Sequence, residues 1–144
     1  MPIRRVFEYR SERDQDLLNA YRRQIALTSG PIRLREVMCR VVNSPSSRFW
    51  VSPERAMRVI SSMEQGNRLE GMMRNKRIMF REIYRRVHLL RERSPYRQLP
   101  LVEVVQMVVE QPAPSFYMTP QSAIVIMHHI RKRRKQCNSS ESRS

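Results

Sequence analysis

Leu34–Ile60, LREVMCRVVNSPSSRFWVSPERAMRVI, and Leu101–Met127, LVEVVQMVVEQPAPSFYMTPQSAIVIM, lie 67 positions apart and align without a gap. Nine of the 27 positions are identical: Leu34/Leu101, Glu36/Glu103, Val37/Val104, Val41/Val108, Val42/Val109, Pro45/Pro112, Phe49/Phe116, Pro53/Pro120 and Ala56/Ala123. Others are close exchanges, such as Trp50/Tyr117, Ser52/Thr119 and Glu54/Gln121. Chance similarity would not hold register across a turn and two flanking apolar patterns, so the segment reads as an internal duplication. Upstream, Tyr21-Arg22-Arg23 matches Tyr84-Arg85-Arg86 at a shift of 63, which places about four extra residues of the second copy around Arg93–Leu99.

Each copy reads as three helices. In the first, Leu17, Leu18, Tyr21 and Ile25 recur at helical spacing over roughly 12–28, where Ser11 and Asp14 resemble a capping box and Gly30-Pro31 ends the helix. The second helix, about 33–43, carries the stripe Leu34, Val37, Met38, Val41 and Val42. The third starts at Ser52-Pro53-Glu54, which supplies a cap, a proline at the first position and a first-turn carboxylate; Ala56, Val59, Ile60 and Met63 form its stripe and Gly66 follows its end. The second copy repeats this at about 71–92, 100–110 and 120–135. Its valine-rich middle segment alone would pass for a strand, but its partner in the first copy has a clear helical period.

The fold expected is all-α: six helices as two diverged three-helix units related by a pseudo-two-fold axis. The first unit spans 1–67, the second spans 68–136 and packs on the first, and 137–144 is a disordered tail. The aromatic stretches 48–52 and 115–119 leave two readings open. They pair as a minimal two-stranded ribbon, or they are extended linkers whose aromatics plug the core, which is the favoured reading.

Hydrophobic residues make up 40% of the 144, enough to bury a core and too many for a disordered chain. Three glycines nearly exclude glycine-rich phosphate loops. The net charge is +15, with 25 Arg against 3 Lys. Such an excess repels itself in a compact state unless polyanions offset it, and the guanidinium fork suits phosphates and guanine edges.

No carboxylate pair, Cys-x-x-Cys or Ser/His/Asp spacing surrounds His88, His128 or His129, so no catalytic residue, metal site or cofactor is expected. Cys39 and Cys137 do not make a disulfide framework and read as free thiols. The N-terminus lacks the apolar run of a signal peptide, and Ala123–Met127 is far too short to cross a bilayer. The expected location is intracellular, cytoplasmic or nucleoid-associated, or nuclear in a eukaryotic host.

Three surfaces are candidates for nucleic acid. At 100° per residue, Arg74, Arg77, Arg81 and Arg85 fall in one arc of the fourth helix, opposite Met72, Met79, Phe80, Ile83, Val87 and Leu90. Residues 71–98 hold nine basic and two acidic side chains, whereas a solvated face normally mixes signs. The second surface is the helix two–helix three pair, which resembles a loose helix-turn-helix with a longer connection than usual. Arg55 and Arg58 would reach bases or grooves, with Arg48 before them. The third is the run Arg131, Lys132, Arg133, Arg134 and Lys135 at a helix C-terminus, which also fits a nuclear localisation signal.

The copies differ where Arg55, Arg58 and Ser62 correspond to Ser122, Val125 and His129. That outward face of the last helix is expected to be buried against helix four or a partner chain, which makes it the candidate homo-oligomer contact. The reading as a whole is a non-enzymatic, basic DNA-binding protein with no membrane partner. The alternatives are RNA binding, and a structural or adaptor protein of a phage or mobile element.

Overall fold

A computed structural model describes the backbone of residues 2–141 and the side chains of residues 9–137. Among these residues the chain is all-helical, with six α-helices and no strand or sheet. In order they are α1 (Pro2–Leu27), α2 (Leu34–Val42), α3 (Pro53–Glu64), α4 (Arg74–Arg91), α5 (Leu101–Val109) and α6 (Pro120–Glu141), with a 3-10 turn at Tyr96–Gln98. No helix among the described residues is long and apolar enough to cross a membrane.

The aligned segments adopt matching local structure. α2 and α5 begin and end 67 positions apart. Their buried residues correspond one for one: Val37, Met38, Val41 and Val42 in α2, and Val104, Val105, Val108 and Val109 in α5. The third helices start alike. Ser52 Oγ accepts the Arg55 N–H at 3.2 Å, and Thr119 Oγ1 accepts the Ser122 N–H at 3.1 Å. Each hydroxyl satisfies a first-turn donor that lacks an intrahelical acceptor, and Pro53 or Pro120 follows it with φ preset for the helix. Ala56 and Ala123 are fully buried, because a methyl group lets a helix approach its neighbours closely.

The chain divides into two compact units, but not at the segment boundary 67/68. Unit 1 takes α1, α2 and α6; unit 2 is the continuous stretch Pro45–Tyr117 with α3, α4 and α5. In unit 1, α2 packs against both α1 and α6; in unit 2, α5 packs against both α3 and α4. Each three-helix unit therefore contains the first two helices of one copy and the third helix of the other. The cause lies in the connection after α2, which does not fold back. Its Phe49 N–H donates to the carbonyl of Val109, the last residue of α5, at 3.0 Å. Fixed there, the extended residues hand α3 to α4 and α5.

The expected ribbon over 48–52 and 115–119 is reduced to one antiparallel bridge two positions upstream, between Ser46 and Ala113. The aromatics are core plugs instead, with Phe49 and Phe116 both buried. In unit 2 the Phe49 and Tyr117 rings stack with centroids 6.0 Å apart, and the Arg86 guanidinium lies 4.9 Å from the Phe49 ring centre. Tyr117 pays for this placement with a left-handed backbone, φ 53°, and Ser115 Oγ accepts its N–H at 3.2 Å. Burial, then the Glu82 carboxylate, raise the pKa of its phenol. The unit 2 core closes around Phe49, Ile60, Phe80, Ile83, Val87, Val104 and Val108.

Helix ends differ from expectation at both termini of the chain. α1 begins at Pro2 rather than near residue 12, so Ser11 and Asp14 are mid-helix and form no capping box. Asp14 is buried and bonds Arg13 and Arg133. α6 runs to Glu141 rather than ending near 135, so residues 137–141 of the expected tail are helical; residues 142–144 lie outside the described residues.

Candidate nucleic-acid interface

Seven of the arginines singled out in the sequence belong to unit 2: Arg48, Arg55, Arg58, Arg74, Arg77, Arg81 and Arg85. α4 docks through Met79, Phe80, Ile83 and Val87, which are buried. On the opposite arc Arg74, Arg81 and Arg85 are exposed and Arg77 is half-buried.

The row is not uniform. Arg85 donates to Glu82, Nη2 to Oε1 at 2.6 Å and Nε to Oε2 at 3.0 Å. The Arg85 hydrogen bond is the main reason that the Glu82 carboxyl is held below its ordinary pKa, with Arg86 adding to it against the cost of burial. The same pairing raises the pKa of Arg85. Arg85 is thus neutralised. Among the described residues no ion pair involves Arg74, Arg77 or Arg81.

α3 brings Arg55 to the N-terminal half of α4, where its guanidinium lies 5.8 Å from the ring centre of Phe80. One turn before Phe80 stands Lys76, a residue that the arc of arginines left out. It heads the i, i+4, i+7 row that continues as Phe80 and Ile83, so it leans toward α3. Partial burial, then the charge of Arg55, hold its pKa below the ordinary lysine value. Arg58 is exposed on α3.

These cations gather where the backbone itself is positive. The first turn of α4 has no acidic residue, and its N-cap, Met73, offers no side-chain hydrogen bond. Unsatisfied N–H groups and the helix dipole favour an anion there, yet the chain places Arg74, Lys76 and Arg77 on that turn. Like charges at this end destabilise the isolated helix. The sequence signal for Lys76 was present in its i, i+4 spacing to Phe80, but without the position of α3 it reads as one more core-facing position.

Arg48 is committed locally. Its guanidinium lies 5.4 Å from the Trp50 ring centre, and its Nε donates to the Phe49 carbonyl at 3.4 Å. Arg86, absent from the candidates, is a structural tie: Nε donates to Glu82 Oε1 at 2.9 Å and Nη1 to the Pro112 carbonyl at 2.9 Å. The two helices of the expected helix-turn-helix-like pair fall in different units, since α3 packs on α4 and α5 and α2 on α1 and α6. The α2–α3 connection is pinned to α5 and makes no tight turn.

In unit 1 the run 131–135 lies within α6 and is exposed along its length. Arg133 is the exception in its pairing, bonded to the buried Asp14 of α1. Ser122, Val125 and His129 are exposed, and α6 packs on α1 and α2. The expected burial of that face against helix four is therefore not made. Cys39 is an exposed free thiol, and Cys137 is exposed as well. Among the described residues no three His, Cys, Asp or Glu side chains gather as a metal-binding group. No family model, curated protein or solved structure matches the chain.

Proposed function

We propose that the chain is a non-enzymatic, intracellular nucleic-acid-binding protein that prefers DNA and holds the phosphate backbone mainly through unit 2. The observation that carries this reading is the accumulation of cations at the uncapped N-terminus of α4, where Arg55 of α3 meets Lys76 and where Arg74 and Arg77 stand on the outer arc of the same turn. No acid lies in that turn, and Arg81 extends the row along the helix. Mutually repelling cations on a positive helix end are costly unless polyanions meet them. A phosphate backbone supplies closely spaced negative charges in a row. Arg58 is the best placed side chain on α3 to reach into a groove, and Arg131, Lys132, Arg134 and Lys135 of unit 1 add sequence-independent attraction.

The test is a gel-shift series with duplex DNA, duplex RNA and single strands over a range of salt. If about four phosphates are neutralised, log K against log salt falls with a slope near −4 at roughly 0.9 per phosphate for duplex DNA. Salt-indifferent binding would falsify the reading, and tighter retention of duplex RNA would reassign the ligand to RNA.

A further inference from the structure

Unit 1 carries a second cationic feature of a different kind. α1 and α6 lie against each other, and between them runs an open groove of about 400 Å³ lined by Arg10, Arg13, Asp14, His129, Lys132 and Arg133 among others. Four permanent cations thus surround one carboxylate. Asp14 is only 6% exposed, and both of its oxygens are engaged. Oδ1 accepts from Arg13, Nε at 3.3 Å and Nη2 at 3.1 Å. Oδ2 accepts from Arg133 Nη2 on the other helix.

The carboxylate therefore fixes two guanidiniums from separate helices beside one cavity. Each guanidinium has five N–H donors and no acceptor, so donors remain on both after Asp14 is served. The side chain of Arg133 is still 52% exposed. Groups held in place before a ligand arrives spend less ordering entropy on binding it. One buried carboxylate holds two cations but cannot offset four, so the groove keeps a net positive charge.

We propose that this groove binds consecutive, linked phosphate groups. Guanidinium forks match the oxygens of a phosphate in pairs, and Lys132 adds a mobile point charge. The groove is larger than one phosphate needs, and among the described residues its lining includes no Phe, Tyr or Trp to stack a nucleobase, the small His129 imidazole being the one ring. The chemistry recognised is thus the phosphate chain itself, from a free oligophosphate or from a nucleic-acid backbone. The inference uses other helices than the face in unit 2, so either can fail alone.

The experiment is calorimetric titration of the full chain with inorganic tripolyphosphate and, separately, with orthophosphate. Tripolyphosphate is expected to bind at least about tenfold more tightly than orthophosphate, because two or three charge-assisted pairs form in place of one. The double variant Arg10→Gln, Lys132→Gln removes two exposed cations that do not bond Asp14, and it should weaken tripolyphosphate by about tenfold or more. The double variant Arg22→Gln, Arg23→Gln, which removes the same charge from exposed positions of α1 outside the groove, should leave that affinity unchanged. Helicity by circular dichroism checks the fold, and Lys132→Gln alone repeats the test at one exposed position. Displacement of a bound DNA duplex by tripolyphosphate names the backbone as the source, and joint binding names a free oligophosphate. Absence of tripolyphosphate binding, or equal weakening by the two double variants, overturns the proposal.

Discussion

Ser46 and Ala113 exchange backbone hydrogen bonds, the N–H of each donating to the carbonyl of the other at 3.0 and 3.1 Å. They also stand at the same position of the two aligned segments, 67 residues apart. This contact is where the two ten-residue connections, 43–52 and 110–119, touch.

The Ser46 hydroxyl adds to this bridge, reaching the Arg48 carbonyl at 2.8 Å and the Ser115 carbonyl at 3.2 Å. Ser46 is buried, so its removal leaves carbonyls short of a donor. Ser46→Ala, which copies the residue at 113, should cost about 1 kcal/mol, the usual contribution of such a bond. Urea denaturation measures it, and a midpoint equal to that of the parent chain would show that the backbone pair alone carries the bridge.

Glu82 links stability to binding. Its carboxyl is held below the ordinary pKa, chiefly by the Arg85 hydrogen bond and further by Arg86. A depressed carboxylate stabilises the fold fully above its unfolded pKa and loses that contribution as pH falls through the folded value. The melting temperature should therefore decline on acidification below about pH 4, the ordinary carboxylate region, and Glu82→Gln should flatten that part of the profile. The same substitution frees Arg85, so duplex DNA affinity should rise and the salt slope steepen by roughly 0.9. An unchanged slope would remove Arg85 from the interface.

The elements were legible because their signals are local. Ser52-Pro53 and Thr119-Pro120 mark helix starts through φ and one hydroxyl, and the valines of α5 are legible as helix only through their alignment with α2. The packing partners were not legible. Nothing in the sequence says that the Phe49 N–H will choose the Val109 carbonyl, and that choice sends α3 to the other copy. The same blindness explains the candidate site. Arg74, Arg77 and Arg81 follow from helical periodicity, whereas the approach of Arg55 to Lys76 needs the α3–α4 packing. Glu82 was visible beside Arg85, but its pairing with that arginine rather than with Arg86 alone is a matter of rotamers. Asp14 looked like a cap because a Ser-x-x-Asp pattern carries no information about whether a helix has already begun.

Val125 separates folding from association. It is 44% exposed on α6, beside the exposed Ser122 and His129. Val125→Asp should change folding stability by no more than about 0.5 kcal/mol, as surface substitutions generally do. If this face joins two copies of the chain, the parent protein sediments as a dimer and the variant as a monomer. A parent chain that stays monomeric at the highest soluble concentration would exclude the contact.

The exchange of third helices decides which fragments can fold. Residues 45–117 carry α3, α4 and α5 with the whole cluster from Phe49 to Val108. Residues 1–67 match one sequence copy, but they hold α1 and α2 without α6, and α3 without α4 and α5. Cutting there uncovers Val37, Met38, Val41, Val42 and Ile60, all buried in the intact chain. Each buried aliphatic side chain contributes about 1.5–3 kcal/mol, so losing several together approaches or exceeds the roughly 5–15 kcal/mol that holds an ordinary domain folded. Circular dichroism on heating should therefore show a cooperative transition for 45–117, and none for monomeric 1–67. Two copies of 1–67 do not supply the missing helices either, since α6 differs from α3 at Val125 and His129 and α4 is absent altogether. A cooperative monomer from 1–67 beside an unfolded 45–117 would mean that the sequence copies, and not the exchanged units, are the folding units.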